Sequence, residues 1–460
     1  MKLVSIQGVK TNMEAETLLQ ELIQYKTIND PTKDIHPDPN ILDFIQKVVK
    51  GWIPNFQAQI LENQGYSSLY MALDPKNVDI LFMGHLDVVP VSKGWTSDPF
   101  TLRIDSGSGL GYGRGSKDCK GSVVSALLML EKFCRENNPL VEHLGFFFST
   151  DEETGGQNGA QIFFNYVTKH NIPLKYVINV DGGPRVVYKR RAGFGIKVKI
   201  PPKIIESFGH LQNQTCHTRI LGDDNRHSAY FVQGCDTNAM VVLSKLLHLH
   251  RDWMVKEIDG PWIKGNVIPD YVEANIVQLT KKLESPLVSY DENLTKILLK
   301  IRSIILLDLP TEIPSEFGIS VNPNVVSYSD TNGTEIYFDV RAFLSSEKTN
   351  ILVKSFKQRL DELATEAEIS CPGTSGYFHT PIGNPLVKIA SEVLEKHSLP
   401  SDPCEQEGAS DARYASDIPV IDLGPRGGNI HGTDEFIDLA SMKKFSSIYE
   451  EIVSQLLGYV

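Results

Sequence analysis

Five short segments of the 460-residue chain carry residue types that could hold divalent metal ions. Gly84-His85-Leu86-Asp87 directly follows an apolar run, Asp79–Met83 (DILFM). His85 offers a ring nitrogen. Asp87 lies two residues on, so on extended chain it points the same way and could orient the histidine. Gly113–Gly121 (GRGSKDCKG) is a glycine-rich turn leading into a helix, with Asp118 at or near the helix N-terminus. Asp151-Glu152-Glu153 follows Leu144–Ser149 (LGFFFS), and three adjacent carboxylates are costly unless a cation or solvent shields them. Neighbouring glutamates can divide the work, one binding metal and the other acting as general base on a metal-bound water. Asp181-Gly182-Gly183 follows Tyr176–Val180 (YVINV). Gly424–His431 (GPRGGNIH) follows Val420–Leu423, with Asp434-Glu435 beyond. Singly, each has an ordinary alternative: a capping aspartate, a satisfied histidine or a solvated acidic loop. Together, His85, Asp118, Glu153, Asp181 and His431 supply two imidazoles and three carboxylates, a set that suits a pair of divalent ions with one bridging carboxylate. Mixed N and O ligands favour Zn²⁺ over Mg²⁺, and Co²⁺ or Mn²⁺ also fit. Glu152, left beside the metals, is placed to act as a base.

Ligands of open α/β sheets bind beyond the carboxyl ends of strands, so the clusters themselves predict the scaffold. The three apolar runs above read as buried strands. Helical stretches separate them, Lys120–Cys134 being the strongest, and strands alternating with helices predict a largely parallel sheet. Glu14–Tyr25 and Pro39–Lys50 precede that pattern. It returns at Pro385–Lys396, Val420–Leu423 and Leu439–Leu457. Between about Lys189 and His379 the character changes: Gly195–Ile200 (GIKVKI) and Ile336–Val340 (IYFDV) alternate or nearly so. Helices are predicted there over Ala239–Leu249, Glu292–Leu307 and Asn350–Glu366. The reading is an α/β protein with a mostly parallel-sheet catalytic domain, residues 1–188 and 380–460. An α+β domain, residues 189–379, is inserted into it.

With 41% hydrophobic and 22% charged residues the chain is neither mostly disordered nor fibrous. It has 45 Lys+Arg against 57 Asp+Glu, and a net charge of −12 argues against nucleic acid as a partner. The run Lys189-Arg190-Arg191 reads as a solvated face. No stretch approaches the ~20 apolar residues that span a bilayer. Met1–Lys10 lacks the apolar segment of a secretory signal. Cys119, Cys134, Cys216, Cys235, Cys371 and Cys404 are scattered without a CxxC pair, which reads as reduced thiols of a cytoplasmic protein.

GHLDVVP, GRGSKDCKG, STDEETGG, NVDGG and GPRGGNIHGTDE resemble, in order and spacing, the motifs of the co-catalytic zinc aminoacylase/carboxypeptidase metallopeptidases. That family includes glutamate carboxypeptidase, succinyl-diaminopimelate desuccinylase, acetylornithine deacetylase, aminoacylase and several dipeptidases. The resemblance covers nearly the whole chain. It implies that His85 and Asp181 hold one zinc, that Glu153 and His431 hold the other, and that Asp118 bridges them. It further implies Glu152 as general base, Asp87 as the support of His85, and a non-proline cis peptide at Asp118–Cys119. Cys119 stands where the family often has Met, and its thiol reads as a packing group.

Arg226-His227-Ser228 with Thr237–Met240 resembles the family's lid motif, in which a histidine stabilises the tetrahedral oxyanion, often from the other subunit of a dimer. This implies a catalytic His227, for which an imidazolium aimed at developing negative charge would serve, and places Asn238 among the substrate-binding candidates. Gly265–Pro269 (GNVIP) and Asp339-Val340-Arg341 resemble the lid strands that follow. In the family these lie close together, whereas here Asp339 follows Pro269 by 70 positions. The lid is therefore enlarged. A homodimer through the lid is the implied assembly, and a monomer is the alternative that an enlarged lid allows. Gly408–Tyr414 (GASDARY) resembles the substrate-side loop. Arg413, like Arg341, could bind a substrate carboxylate bidentately.

The implied reaction removes an acyl group from a small N-acyl amino acid, as desuccinylases and deacetylases do. A zinc carboxypeptidase or dipeptidase acting on a short peptide is the alternative. A non-catalytic binding homologue would have lost a ligand or the base, and all are present. A dizinc phosphoesterase would want a phosphate-binding loop, and neither glycine-rich phosphate fingerprint fits.

Overall fold

The computed structural model describes residues 14–221, 227–232, 234–282, 284–415 and 417–458; Met1–Lys10 and Arg226 lie outside them. The chain divides into two compact units. One comprises Met1–Lys189, Phe378–Gln406 and Ser410–Val460, the other Arg190–Tyr377 and Glu407–Ala409.

The first unit is built on a nine-stranded sheet. Its centre is parallel: Ile80–His85 pairs with Leu144–Ser149 on one side and Tyr176–Asn179 on the other, and Val420–Asp422 pairs with Tyr176–Asn179. The flanks are antiparallel, formed by Gln57–Asn63 and Tyr66–Ala72 at one side and Val187–Arg190 at the other. The central strands are apolar up to their last residue because both faces are covered. Alternation along the strands shows this directly. Phe82, Phe146 and Phe148 pack into one core with the helices Ala15–Gln24, Asn40–Trp52, Lys120–Arg135, Pro385–Lys396 and Leu439–Leu456. Leu81, Met83 and Phe147 pack into the other with the helix Ala160–His170, where the rings of Phe147 and Phe163 stack at 4.1 Å. Sequence periodicity does not mark that helix, nor the three flanking strands. A separate antiparallel sheet of short strands joins Arg103–Asp105, Leu110–Tyr112, Phe436–Asp438 and Gly427–Gly428.

The second unit holds two four-stranded sheets over one core. Ser320–Ser329, Gly333–Ala342, Ala192–Ile200 and Glu368–Thr374 form one, all antiparallel. Trp253–Asp259, Tyr271–Leu279, Ile204–His217 and Leu287–Asp291 form the other, also antiparallel. The helix at Glu292–Ile304 starts where the Asp291 carboxylate accepts from the N–H groups of Asn293 and Leu294. The helix predicted over Asn350–Glu366 ends at Leu360, because Asp361 adopts a left-handed backbone (φ 51°) and a 3-10 turn follows. Lys189, Arg190 and Arg191 are buried rather than solvated. Arg191, for example, donates to the carbonyls of Gly318 and Ala229 and lies over the Phe317 ring. No described helix is long and apolar enough to cross a membrane.

Candidate metal centre

The parallel strands deliver two of the clusters directly. His85 ends its strand, with its ring buried and Nδ1 3.1 Å from the Asp87 carbonyl oxygen. Glu152 and Glu153 sit in the 3-10 turn beyond Leu144–Ser149. The Asp87 carboxylate does more than face His85, from which it lies 3.4 Å away. It accepts the N–H groups of Glu152 (3.2 Å) and Glu153 (3.1 Å), and the Asn29 amide at 2.9 Å. It thus holds the turn that presents both glutamates. The third acid of that run, Asp151, accepts from the Asn158 N–H, and burial together with the nearby Asp411 carboxylate pushes it up to about 7.

Asp118 and His431 come instead from loops beside the small antiparallel sheet. The turn before the helix Lys120–Arg135 carries Asp118, and the Asp118–Cys119 peptide is cis. His431 has left-handed backbone (φ 63°), as do Asn429 and Asp434 of the same loop. One buried pair joins the two loops. Glu435 accepts from Arg114 Nη1 at 2.7 Å and from the N–H groups of Gly115, Lys117 and Asp118. Arg114 in turn donates to the carbonyls of His431 and Gly432. Gly121 lets the turn approach the helix: a Cβ there would sit 2.2 Å from the Ser116 carbonyl oxygen and 2.4 Å from Ile437. Gly121→Ala is therefore expected to destabilise by about 1–3 kcal/mol. It should weaken metal retention in parallel, read by thermal unfolding beside metal analysis.

These loops bring four of the five predicted ligands within hydrogen-bond reach. Asp118 Oδ1 lies 2.9 Å from His85 Nε2, and Asp118 Oδ2 lies 3.0 Å from His431 Nε2. Glu153 Oε2 lies 3.1 Å from the same His431 nitrogen. Asp181 falls with His85 and Cys119 in a second group whose ligand atoms are within 4.8 Å of one another. Burial raises Glu152 well above the usual carboxylate range, with the carboxylates of Asp411, Asp181 and Glu153 adding to it. Burial and Asp118 lift Glu153 to about 7. Burial would raise Asp118 too, but His431 and His85 hold it well below its ordinary value. His431 is half-exposed, and Asp118 and Glu153 outweigh its partial desolvation and hold the imidazole up at about 11. The donor set fits divalent cations: two imidazole nitrogens address one carboxylate through separate oxygens, and buried carboxylates are in excess.

The remaining predicted residues are engaged elsewhere. Arg413 donates to the carbonyls of Ser410 (2.9 Å) and Gly155 (2.5 Å). In the second unit, Asn238 caps the helix Ala239–Leu249 by accepting from Met240 N–H, and it donates to the Pro323 carbonyl. Arg341 Nε donates to Asp339 at 2.9 Å. His227 lies in that unit too, with Nδ1 accepting from the Ala229 N–H. Sequence reading missed Asn29 and Arg114 and left Glu435 without a role, because nothing local marks a partner that lies 58 or 321 positions away.

Succinyl-diaminopimelate desuccinylase of Pelagibacter ubique is 22% identical over 447 residues, covering 95% of this chain and 97% of that protein. The enzyme of the same name from Rhodospirillum centenum is 24% identical, covering 91% and 92%. Among solved structures, aminoacylhistidine dipeptidase of Vibrio alginolyticus shares the fold with a TM-score of 0.64 at 13% identity, covering 96% of each chain. An M20 family metallo-carboxypeptidase from Sulfolobus solfataricus does so at 0.60 and 14%, covering 96% of this chain and 99% of that one. The sequence profile of peptidase family M20/M25/M40 matches residues 81–455, a span that takes in every candidate ligand described above. The chain is thus a metal-dependent hydrolase and belongs to peptidase family M20/M25/M40.

Proposed function

We propose that the protein is a two-zinc amide hydrolase that removes an acyl group from an N-acyl amino acid. His85 and Asp181 would hold one ion, Glu153 and His431 the other, and Asp118 would bridge. The observation that carries this reading is the Asp118 carboxylate, each oxygen facing a different histidine, with Glu152 half-buried in the adjoining turn. Divalent ions held by these residues would supply Lewis acidity for activating a water and an amide carbonyl. Glu152 takes the proton of the attacking water and returns it to the leaving nitrogen as the C–N bond breaks. Asp87 keeps the Glu152 carboxyl in place through the backbone of its turn. His227 donates to the carbonyl oxygen as it gains charge. Arg341 is proposed for the substrate carboxylate, its Nε used by Asp339. Arg413 and Asn238 are read as positioning groups, because their hydrogen bonds go to backbone. A homodimer through the inserted unit is the proposed assembly. A cytoplasmic location suits the free cysteines, which include the exposed Cys235.

The deacylase branch is favoured over the peptidase branch because the sequence relatives at 22–24% identity carry the desuccinylase name. Hydrolysis of N-succinyl amino acids, N-acetyl amino acids and dipeptides, with added Zn²⁺, Co²⁺ or Mn²⁺ and with a chelator, tests it. Metal-dependent turnover of an acyl amino acid supports the reading. Turnover of dipeptides alone moves the protein to the peptidase branch, and phosphate-ester turnover alone overturns the mechanism.

Cys119 adjoins the ligands but is tied to backbone: its Sγ accepts from His85 N–H at 3.2 Å and donates to the His85 carbonyl at 3.3 Å. Burial pushes the thiol up to about 11. Cys119→Ser is expected to keep two metals per chain by elemental analysis. Loss of one would make the sulfur a ligand.

A further inference from the structure

Asp181 is lightly held by its own loop. The residue is half-buried, and its N–H reaches the Asn179 side chain only at 3.4 Å. Two glycines follow. Gly182 N–H donates to the Val180 carbonyl at 2.9 Å, and the Gly183 carbonyl accepts from Gly424 N–H at 2.9 Å. A side chain from another ligand-bearing turn also reaches this loop. Lys117, the neighbour of Asp118, is 4% exposed, and its Nζ donates to the Gly182 carbonyl at 2.8 Å. Among the described residues its ammonium makes no ion pair.

Glycines clear the way for this contact. A Cβ on Gly427 would sit 2.6 Å from Lys117 Cδ, and one on Gly424 would sit 2.6 Å from the Gly182 carbonyl oxygen. The first would displace the lysine stem, and the second would cover its acceptor. A buried ammonium whose partner is a neutral carbonyl is costly to keep, unlike the matched Arg114–Glu435 pair. What the contact supplies is a charge-assisted hydrogen bond between two loops that carry candidate ligands. We infer that Lys117 is a positioning residue, tying the Asp181 loop to the Asp118 turn through the Gly182 carbonyl. The tie holds the Asp181 carboxylate in its group with His85 and Cys119. The Arg114–Glu435 pair joins the Asp118 turn to the His431 loop instead. Lys117 therefore acts on the ion proposed for His85 and Asp181 and leaves the His431 side alone.

The consequence for metal rests on the ligand set proposed above, whereas the tie does not. Amide hydrogen exchange of the full chain in chelator reads the tie. In Lys117→Met, which keeps an unbranched stem without the ammonium, the amides of residues 181–183 should exchange roughly tenfold faster, one hydrogen bond's worth, and those of residues 144–149 should not change. Zn²⁺ titration of the same two proteins reads the consequence. The wild type should take up two ions per chain. The variant should keep one at wild-type affinity and bind the other ten- to a hundredfold more weakly, the range for groups that orient a ligand. Lys117→Arg keeps a cationic donor and should recover part of that affinity, which general loosening of the fold would not predict. Unchanged exchange at residues 181–183 overturns the inference, and so does equal weakening of both ions. A wild-type chain that takes up no Zn²⁺ would sink the proposed function and leave the exchange result to decide the tie.

Discussion

Glu152→Gln is expected to lower turnover a hundred- to ten-thousand-fold while two metals stay bound, the range that a positioned acid–base group contributes. The substitution leaves volume and backbone unchanged. The N–H of residue 152 still donates to Asp87, so the turn that presents Glu153 keeps its shape. Glu152 itself is not among the groups whose ligand atoms cluster, so the ion count is expected to hold. What the amide cannot do is accept the water's proton and hand it to nitrogen. Steady-state hydrolysis beside elemental analysis of the same sample separates the two effects. Wild-type turnover in the variant would remove Glu152 from the mechanism; lost metal with lost turnover would make it a ligand.

Glu435→Gln should cost about 3–5 kcal/mol of stability, although it is isosteric. Both oxygens of Glu435 accept: one from Lys117 and Asp118, the other from Arg114 and Gly115. Whichever way the glutamine amide turns, its NH₂ meets donors, and Arg114 is left buried with no opposing charge. The two loops that the pair joins carry Asp118 and His431, so metal should be lost along with stability. Denaturant unfolding followed by metal analysis reads both. A loss below about 1 kcal/mol would show that the pair does not hold the loops. Glu435→Ala should be no milder, since it leaves the same N–H groups and the same cation unmatched.

The candidate ligands were legible in the sequence for a physical reason. Strands covered on both faces are uninterrupted apolar runs, so DILFM, LGFFFS and YVINV stand out, and the polar residues just past them stand out in turn. The strand Ile204–His217 is mostly exposed or half-buried and offers no such contrast. The flanking strand Gln57–Asn63 is hidden for the same reason. The residues that aim the ligands were harder still. Asn29 reaches Asp87 across 58 positions and Arg114 reaches Glu435 across 321. Each is an ordinary polar residue until the fold supplies its partner. Asp87 was recognised, but as a partner of His85; that it accepts the amides of both glutamates follows only from how the Glu152 turn folds back.

The strand Val420–Asp422 lies between Tyr176–Asn179 and Val187–Arg190, yet the whole inserted unit separates it from them in the chain. A ribosome therefore releases a sheet with a gap in it. At 5–20 residues per second the missing strand follows on the order of 10–50 s later. Until then the edge of Tyr176–Asn179 that Val420–Asp422 will cover stands unpaired, a template for mispairing between nascent chains. The same order of events delays the proposed metal frame, because His431 and Glu435 emerge after the strand that closes the sheet. A chain stopped short of Val420 would then carry most of the apolar core, an open sheet and no complete ion-binding frame. Such fragments are expected to be substrates for chaperones and proteases, not partially active enzymes.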